Sequence, residues 1–213
     1  LPRRAWLHAL LTATLAPALL SACRRPAAAQ PVPAGATVLA LGDSLTHGTG
    51  APAGSDYPSV LASLTGWRLI NAGIPGDTST QALERLPALL QAHRPALVIV
   101  SIGGNDFLRR QPEAATRANL RAICQQALQA GAQVLIVAVP RLSLAAALGQ
   151  LSDHPLYAET ARELKLPLLR DGWSNVLAQP GLRSDAVHAN AQGYAQFARH
   201  LHATAVAVGL LKG

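Results

Sequence analysis

The sequence predicts an α/β domain, a five-stranded parallel sheet with helices on both faces. Three observations lead there. Short apolar runs recur at residues 38–41, 67–70, 96–102, 133–139 and 166–169, as expected of strands buried on both faces. Helix-length segments separate them. Small or polar residues follow the runs, at the carboxyl edge where open α/β sheets bind ligands.

The domain is expected to begin at residue 37. Residues 1–22 read as an export signal: Arg3 and Arg4 supply a basic start, and residues 5–19 are apolar except for His8, Thr12, Thr14 and Pro17, too short a stretch to span a bilayer comfortably. The signal ends in Leu20-Ser21-Ala22-Cys23, which resembles the bacterial lipobox and implies acylation of Cys23. Residues 23–36, rich in proline and alanine, read as a tether holding the domain off a membrane. Arginine at position 24, where aspartate resembles an inner-membrane retention signal, favours the outer membrane. The expected location is therefore the periplasmic face of the cell envelope.

Composition narrows the class. Half of the 213 residues are apolar, which excludes disorder. The net charge of +7 includes the two signal arginines, and only 4% of residues are aromatic. With no basic stripe interleaved with aromatics, nucleic acid is not an expected partner. An acylated Cys23 leaves Cys124 without a disulfide partner, and its place among Leu120, Ile123 and Leu128 marks it as an inert core thiol.

The elements follow in order. The first strand, 38–41, leads to a helix with Tyr57, Val60, Leu61 and Leu64 on one face and Gly66 as its stop. After the strand at 67–70, Thr78-Ser79-Thr80-Gln81 fits a capping box, continued by Leu83, Leu86, Leu89 and Leu90. Pro87 predicts a kink or break. Beyond the strand at 96–102, Pro112 opens a helix with Leu120, Ile123, Ala127 and Ala130 on one side and Gly131 past its end. The strands at 133–139 and 166–169 flank the least legible segment, where 142–151 suits a helix over part of the site. The last helix starts near Asn190 and carries Tyr194, Phe197, Leu201, Ala205 and Val208.

In this topology Ser44, Gly73, Asn105 and the Asp185/His188 pair converge on one edge of the sheet. Each type suits acyl transfer. A serine hydroxyl needs an adjacent histidine, itself oriented by a carboxylate. An oxyanion needs preorganised donors, for which the Ser44 N–H, the Gly73 N–H and the Asn105 amide are the candidates. Asp43, His47 and Asp106 are expected around the pocket. Taken singly, Ser44 and Asp43 suit a helix N-cap, Gly73 a turn, and Asn105, Asp106 or Asp185 a cap. His93, His154, His200 and His202 read as surface residues, and no spacing among them suggests a metal.

Together the blocks Gly42-Asp43-Ser44-Leu45, Gly73, Gly103-Gly104-Asn105-Asp106 and Asp185-Ala186-Val187-His188 resemble the SGNH (GDSL) hydrolase family. Asn71-Ala72-Gly73-Ile74-Pro75-Gly76-Asp77-Thr78 and Ile102-Gly103-Gly104-Asn105-Asp106-Phe107-Leu108 look most like its arylesterase, acyl-thioesterase and lysophospholipase branch. The resemblance implies a three-layer, flavodoxin-like fold and a serine esterase without cofactor or metal. Its nucleophile would be Ser44, with His188 as base and Asp185 orienting it. Its substrates would be aryl esters, acyl thioesters or lysophospholipids. Ala189 stands where the family often has proline, a loop-shaping position. Two other readings stay open: an acetyl esterase of envelope polysaccharide, and a lipoprotein that binds lipid or glycan without turnover. The ordinary lipase motif Gly-x-Ser-x-Gly is absent. Oligomeric state is not legible.

Overall fold

The computed structural model describes residues 29–141 and 151–212. Its sheet has five strands in the order β2-β1-β3-β4-β5, all parallel. They are β1 Thr37–Gly42, β2 Arg68–Gly73, β3 Leu97–Ser101, β4 Gln133–Val137 and the short β5 Leu168–Leu169. Alternation along β1 sends Val38 and Ala40 to one face and Leu39 and Leu41 to the other, as strand geometry requires. That split makes three layers.

On the first face lie α2 Tyr57–Thr65, α7 Gly172–Leu177 and α8 Ala191–Ala207. Tyr57, Trp173, Tyr194 and Phe197 form a fully buried aromatic cluster there, with Trp173 and Phe197 stacked 3.6 Å apart. Each such pair adds about 0.5–1.5 kcal/mol beyond area burial. The second face carries α3 Ser79–His93, α5 Glu113–Gln129 and α6 Pro155–Leu164, packed through Leu86, Leu120, Ile123 and Tyr157. Cys124 is buried in α5, and burial pushes its thiol up to about 12. It is inert at neutral pH.

Several local expectations hold. Asn190 caps α8 and Gly66 closes α2 in the left-handed region. Both hydrogen bonds of the Thr78–Gln81 capping box form. Others are corrected. No break occurs at Pro87: helix α3 continues through it, with the proline on the exposed side. Leu64 and Ala130 face outward, and Thr116 begins the buried stripe of α5.

The tether assignment fails from residue 29 onward. Residues 29–36 form a belt across the amino edge of the sheet. Val32 is buried, donates to the Leu210 carbonyl at 2.8 Å and accepts the Trp67 indole N–H at 3.0 Å. Gln30 and Gln133 exchange two hydrogen bonds, at 2.7 and 2.8 Å. Trp67 needs a partner for its indole N–H when buried, and Val32 supplies it from 35 residues away in sequence. Signal residues 1–22, Cys23 and most of the suggested 142–151 helix lie outside the described residues.

Candidate active site

The carboxyl end of β1 turns at Gly42-Asp43 into the four-residue helix α1, Ser44–His47. Asp43 caps it, its Oδ1 accepting the Leu45 N–H at 3.0 Å. This sets Ser44 at the first helical position, where a backbone N–H has no partner inside the helix. Below, the Tyr57 and Thr46 hydroxyls share a 3.1 Å hydrogen bond, and Tyr194 donates to the Thr49 carbonyl at 2.7 Å. The aromatic cluster thus supports α1 directly.

Three predicted residues meet as expected. His188 Nε2 lies 2.9 Å from Ser44 Oγ, and His188 Nδ1 lies 2.8 Å from Asp185 Oδ2. A carboxylate only accepts, so Nδ1 carries the proton and Nε2 is free to take that of the serine. The other oxygen of Asp185 accepts the Val187 and His188 backbone N–H groups, both at 2.8 Å. Desolvation pushes this carboxyl up, but the bonds from the His188 ring and the two backbone donors outweigh it and hold Asp185 below its ordinary range.

Asn105 sits in α4, Gly104–Leu108, beyond β3. Its Nδ2 donates to the Asp77 carbonyl at 2.9 Å and is 3.5 Å from Asp43 Oδ2. Asp43 lines the cavity as predicted. Burial pushes its carboxyl up to about 6, against the opposing pull of the Leu45 N–H and the nearby His188 charge.

The structure does not bring the expected glycine, Gly73, to the cavity. Its N–H is held by Asn71 Oδ1 at 3.0 Å. It is glycine because a Cβ would come within 2.1 Å of the His47 nitrogen, so it lets α1 pack on β2. Gly76 lines the cavity instead, beside Ser44 and Asn105. It occupies the third position of a turn closed by Asp77 N–H to the Ile74 carbonyl at 3.1 Å, with φ +84°. Pro75 then Gly76 is the signature of a type II turn, and that dipeptide was the available signal. Among the described residues, no acceptor is bonded to the Gly76 or Ser44 N–H.

Two further expectations are corrected. His47 is exposed and lies outside the cavity lining. Asp106 is buried away from it, accepting the Ser79 N–H at 2.8 Å, the Ser79 hydroxyl at 2.5 Å and the Thr116 hydroxyl at 3.2 Å. Its work is to pin the start of α3 to α4. His154, read as a surface residue, is buried, caps α6 and stacks 4.3 Å from Phe107.

The cavity holds about 320 Å³. Leu45, Leu108, Val139, Leu151, Leu177 and Val187 supply apolar walls. Arg109, outside the lining, donates to the Gly76 carbonyl at 2.8 Å. Among the described residues, no group of three His, Cys, Asp or Glu side chains could hold a metal ion.

Comparison with known proteins agrees with this geometry. The profile of the GDSL-like Lipase/Acylhydrolase family matches residues 40–196. The chain is 36% identical over 162 residues to "Thioesterase 1/protease 1/lysophospholipase L1" of Escherichia coli, covering 72% of this chain and 76% of that protein. It is 36% identical over 126 residues to "Esterase TesA" of Pseudomonas aeruginosa, covering 57% and 63%. Among solved structures, that of TesA superposes with a TM-score of 0.72 at 28% identity, covering 81% of this chain and 99% of that one. With a family match that begins inside β1 and ends within α8, the chain belongs to the GDSL-like lipase/acylhydrolase family.

Proposed function

We propose that this protein is a serine esterase that cleaves carboxylic esters or thioesters through an acyl-enzyme on Ser44. The observation that carries the reading is the unbroken hydrogen-bonded line Asp185–His188–Ser44 at the mouth of an apolar cavity. His188 Nε2 takes the Ser44 proton as Oγ attacks the acyl carbon. The carbonyl electrons move onto oxygen, and the Ser44 N–H, the Gly76 N–H and the Asn105 amide receive the resulting charge. His188 returns the proton to the leaving alcohol or thiol, and water repeats the cycle to release the acid. Asp185 keeps the imidazole in the required tautomer.

The names of relatives, thioesterase and lysophospholipase in Escherichia coli and "Arylesterase" in Vibrio mimicus (36% identical over 107 residues), support aryl esters, acyl thioesters and lysophospholipids as the substrate range. The apolar walls favour acyl groups longer than acetyl, because each buried methylene adds about 0.8 kcal/mol of binding. An acetyl esterase of envelope polysaccharide would show the opposite preference. We also propose that Cys23 is acylated and holds the domain at the periplasmic face of the cell envelope; the support is the lipobox-like sequence before it.

A fluorophosphonate tests the chemistry. It should label the wild-type protein and fail on Ser44→Ala, which should also lose turnover of aryl esters. A variant that still hydrolyses at the wild-type rate overturns the assignment. Rates on acetyl and octanoyl esters then decide the substrate class, and the mass of the N-terminal peptide decides acylation.

A further inference from the structure

One guanidinium bonds both the residue that closes the turn carrying Gly76 and the carbonyl that holds the residue opening it. Arg85, in the second turn of α3, donates through Nε to Asp77 Oδ2 at 2.8 Å and through Nη2 to the Gly42 carbonyl at 2.9 Å. The Gly42 carbonyl also accepts the Ile74 N–H at 3.1 Å. Ile74 opens the turn and Asp77 closes it. Gly42 is the last residue of β1, two before Ser44. The Asp77 carbonyl is the acceptor that fixes the Asn105 amide.

Arg85 therefore touches the supports of all three candidate oxyanion donors. It reaches the Ser44 N–H through the end of β1, the Gly76 N–H through the turn, and the Asn105 amide through Asp77. The Asp77 side chain is 7% exposed and that of Arg85 20% exposed, so water competes poorly for these bonds. An arginine suits the place, since its planar fork serves two acceptors at a fixed separation, which a lysine ammonium does not.

We propose that Arg85 is a positioning residue that sets the spacing of the oxyanion donors. The proposal rests on the serine-esterase reading above. A structural brace would shift stability alone, whereas a positioning group shifts the transition state. Misplacement of catalytic groups by about 1 Å costs about 10²-fold in rate.

The test measures hydrolysis of p-nitrophenyl butyrate and inhibition by a trifluoromethyl ketone, which forms a tetrahedral adduct on Ser44. Arg85→Ala should lower kcat by about 10²-fold with KM nearly unchanged, the split that marks loss of a transition-state interaction. The Ki of the ketone should rise by the same factor, and added guanidinium ion should restore part of the rate. Arg85→Lys should fall between Arg85→Ala and wild type. An Arg85→Ala protein with wild-type kcat and Ki overturns the proposal. So does a rate loss that appears wholly in KM and ignores guanidinium. Should Arg85→Ala misfold, the double variant Arg85→Met with Asp77→Asn removes the stranded carboxylate. It should regain stability while kcat stays low, and a return to wild-type kcat overturns the positioning role. A wild-type protein that neither hydrolyses nor labels defeats the esterase reading itself; one that does both, with Arg85 indifferent, defeats only this proposal.

Discussion

The two arms of the site are built in opposite ways. The acid–base arm lies on the loop before α8, where Asp185 is 54% exposed and His188 19% exposed, and its carboxylate is held by backbone donors of its own loop. The oxyanion arm is built on the ends of β1 and β3 and on the turn after β2, where Asp43, Asp77 and Asp106 are all buried. The difference follows from the chemistry. A base must exchange protons with water and with leaving groups, and tolerates exposure. Donors that stabilise a developing charge work only if they are already in place, which demands a rigid, dry support.

Variants can break this comparison, beginning with the reacting atom. Ser44→Ala should lower kcat by about 10⁶-fold, and adding His188→Ala should cost little more, because the two act as a unit. Strict additivity in the double variant would separate residues read here as one device. On the rigid arm, Asn105→Ala should cost about 2.7–4 kcal/mol of transition-state stabilisation with substrate binding retained. Steady-state kinetics across an acyl-chain series would show whether that loss is independent of chain length.

Asp43 tests the burial of the rigid arm through pH. Its carboxyl is raised from an ordinary 3.8 to about 6, so the folded protein holds this proton more tightly than the unfolded chain. The stability it contributes is fully present below the ordinary value and is lost as pH rises through about 6. Relative to wild type, Asp43→Asn should therefore gain about 3 kcal/mol between pH 3.5 and 7, readable by urea unfolding at each pH. A constant difference would mean that the carboxyl is hydrated. The smallest effect is expected on the exposed arm. Asp185→Ala should lower kcat by about 10- to 100-fold, below the roughly 10⁴ seen when a buried triad acid is altered, because water reaches the imidazole nitrogen it leaves. A loss as large as that from Ser44→Ala would erase the distinction between the arms.

The parts legible in the sequence were those governed by local rules. Apolar runs located the strands, and the short turn from Asp185 to His188 made that pair readable as a unit. What escaped depended on contacts distant in sequence. Gly73 and Gly76 are three residues apart and equally small. Only the packing of α1 on the first and the turn geometry of the second tell them apart. Arg85 looks like a solvated helix residue until Gly42, 43 positions earlier, is seen to accept from it. His154 was misread because its partner Phe107 lies on another helix. Residues 29–36 were misread because a proline-rich composition says nothing about whether one valine finds a tryptophan.

That belt also fixes the polarity of the molecule. It crosses the amino edge of the sheet, while the cavity opens at the carboxyl edge, separated by the six residues of β1, about 20 Å of strand. The described chain therefore enters the domain at Ala29 on the pole opposite the cavity, so that the mouth and the entry point face away from each other across the sheet.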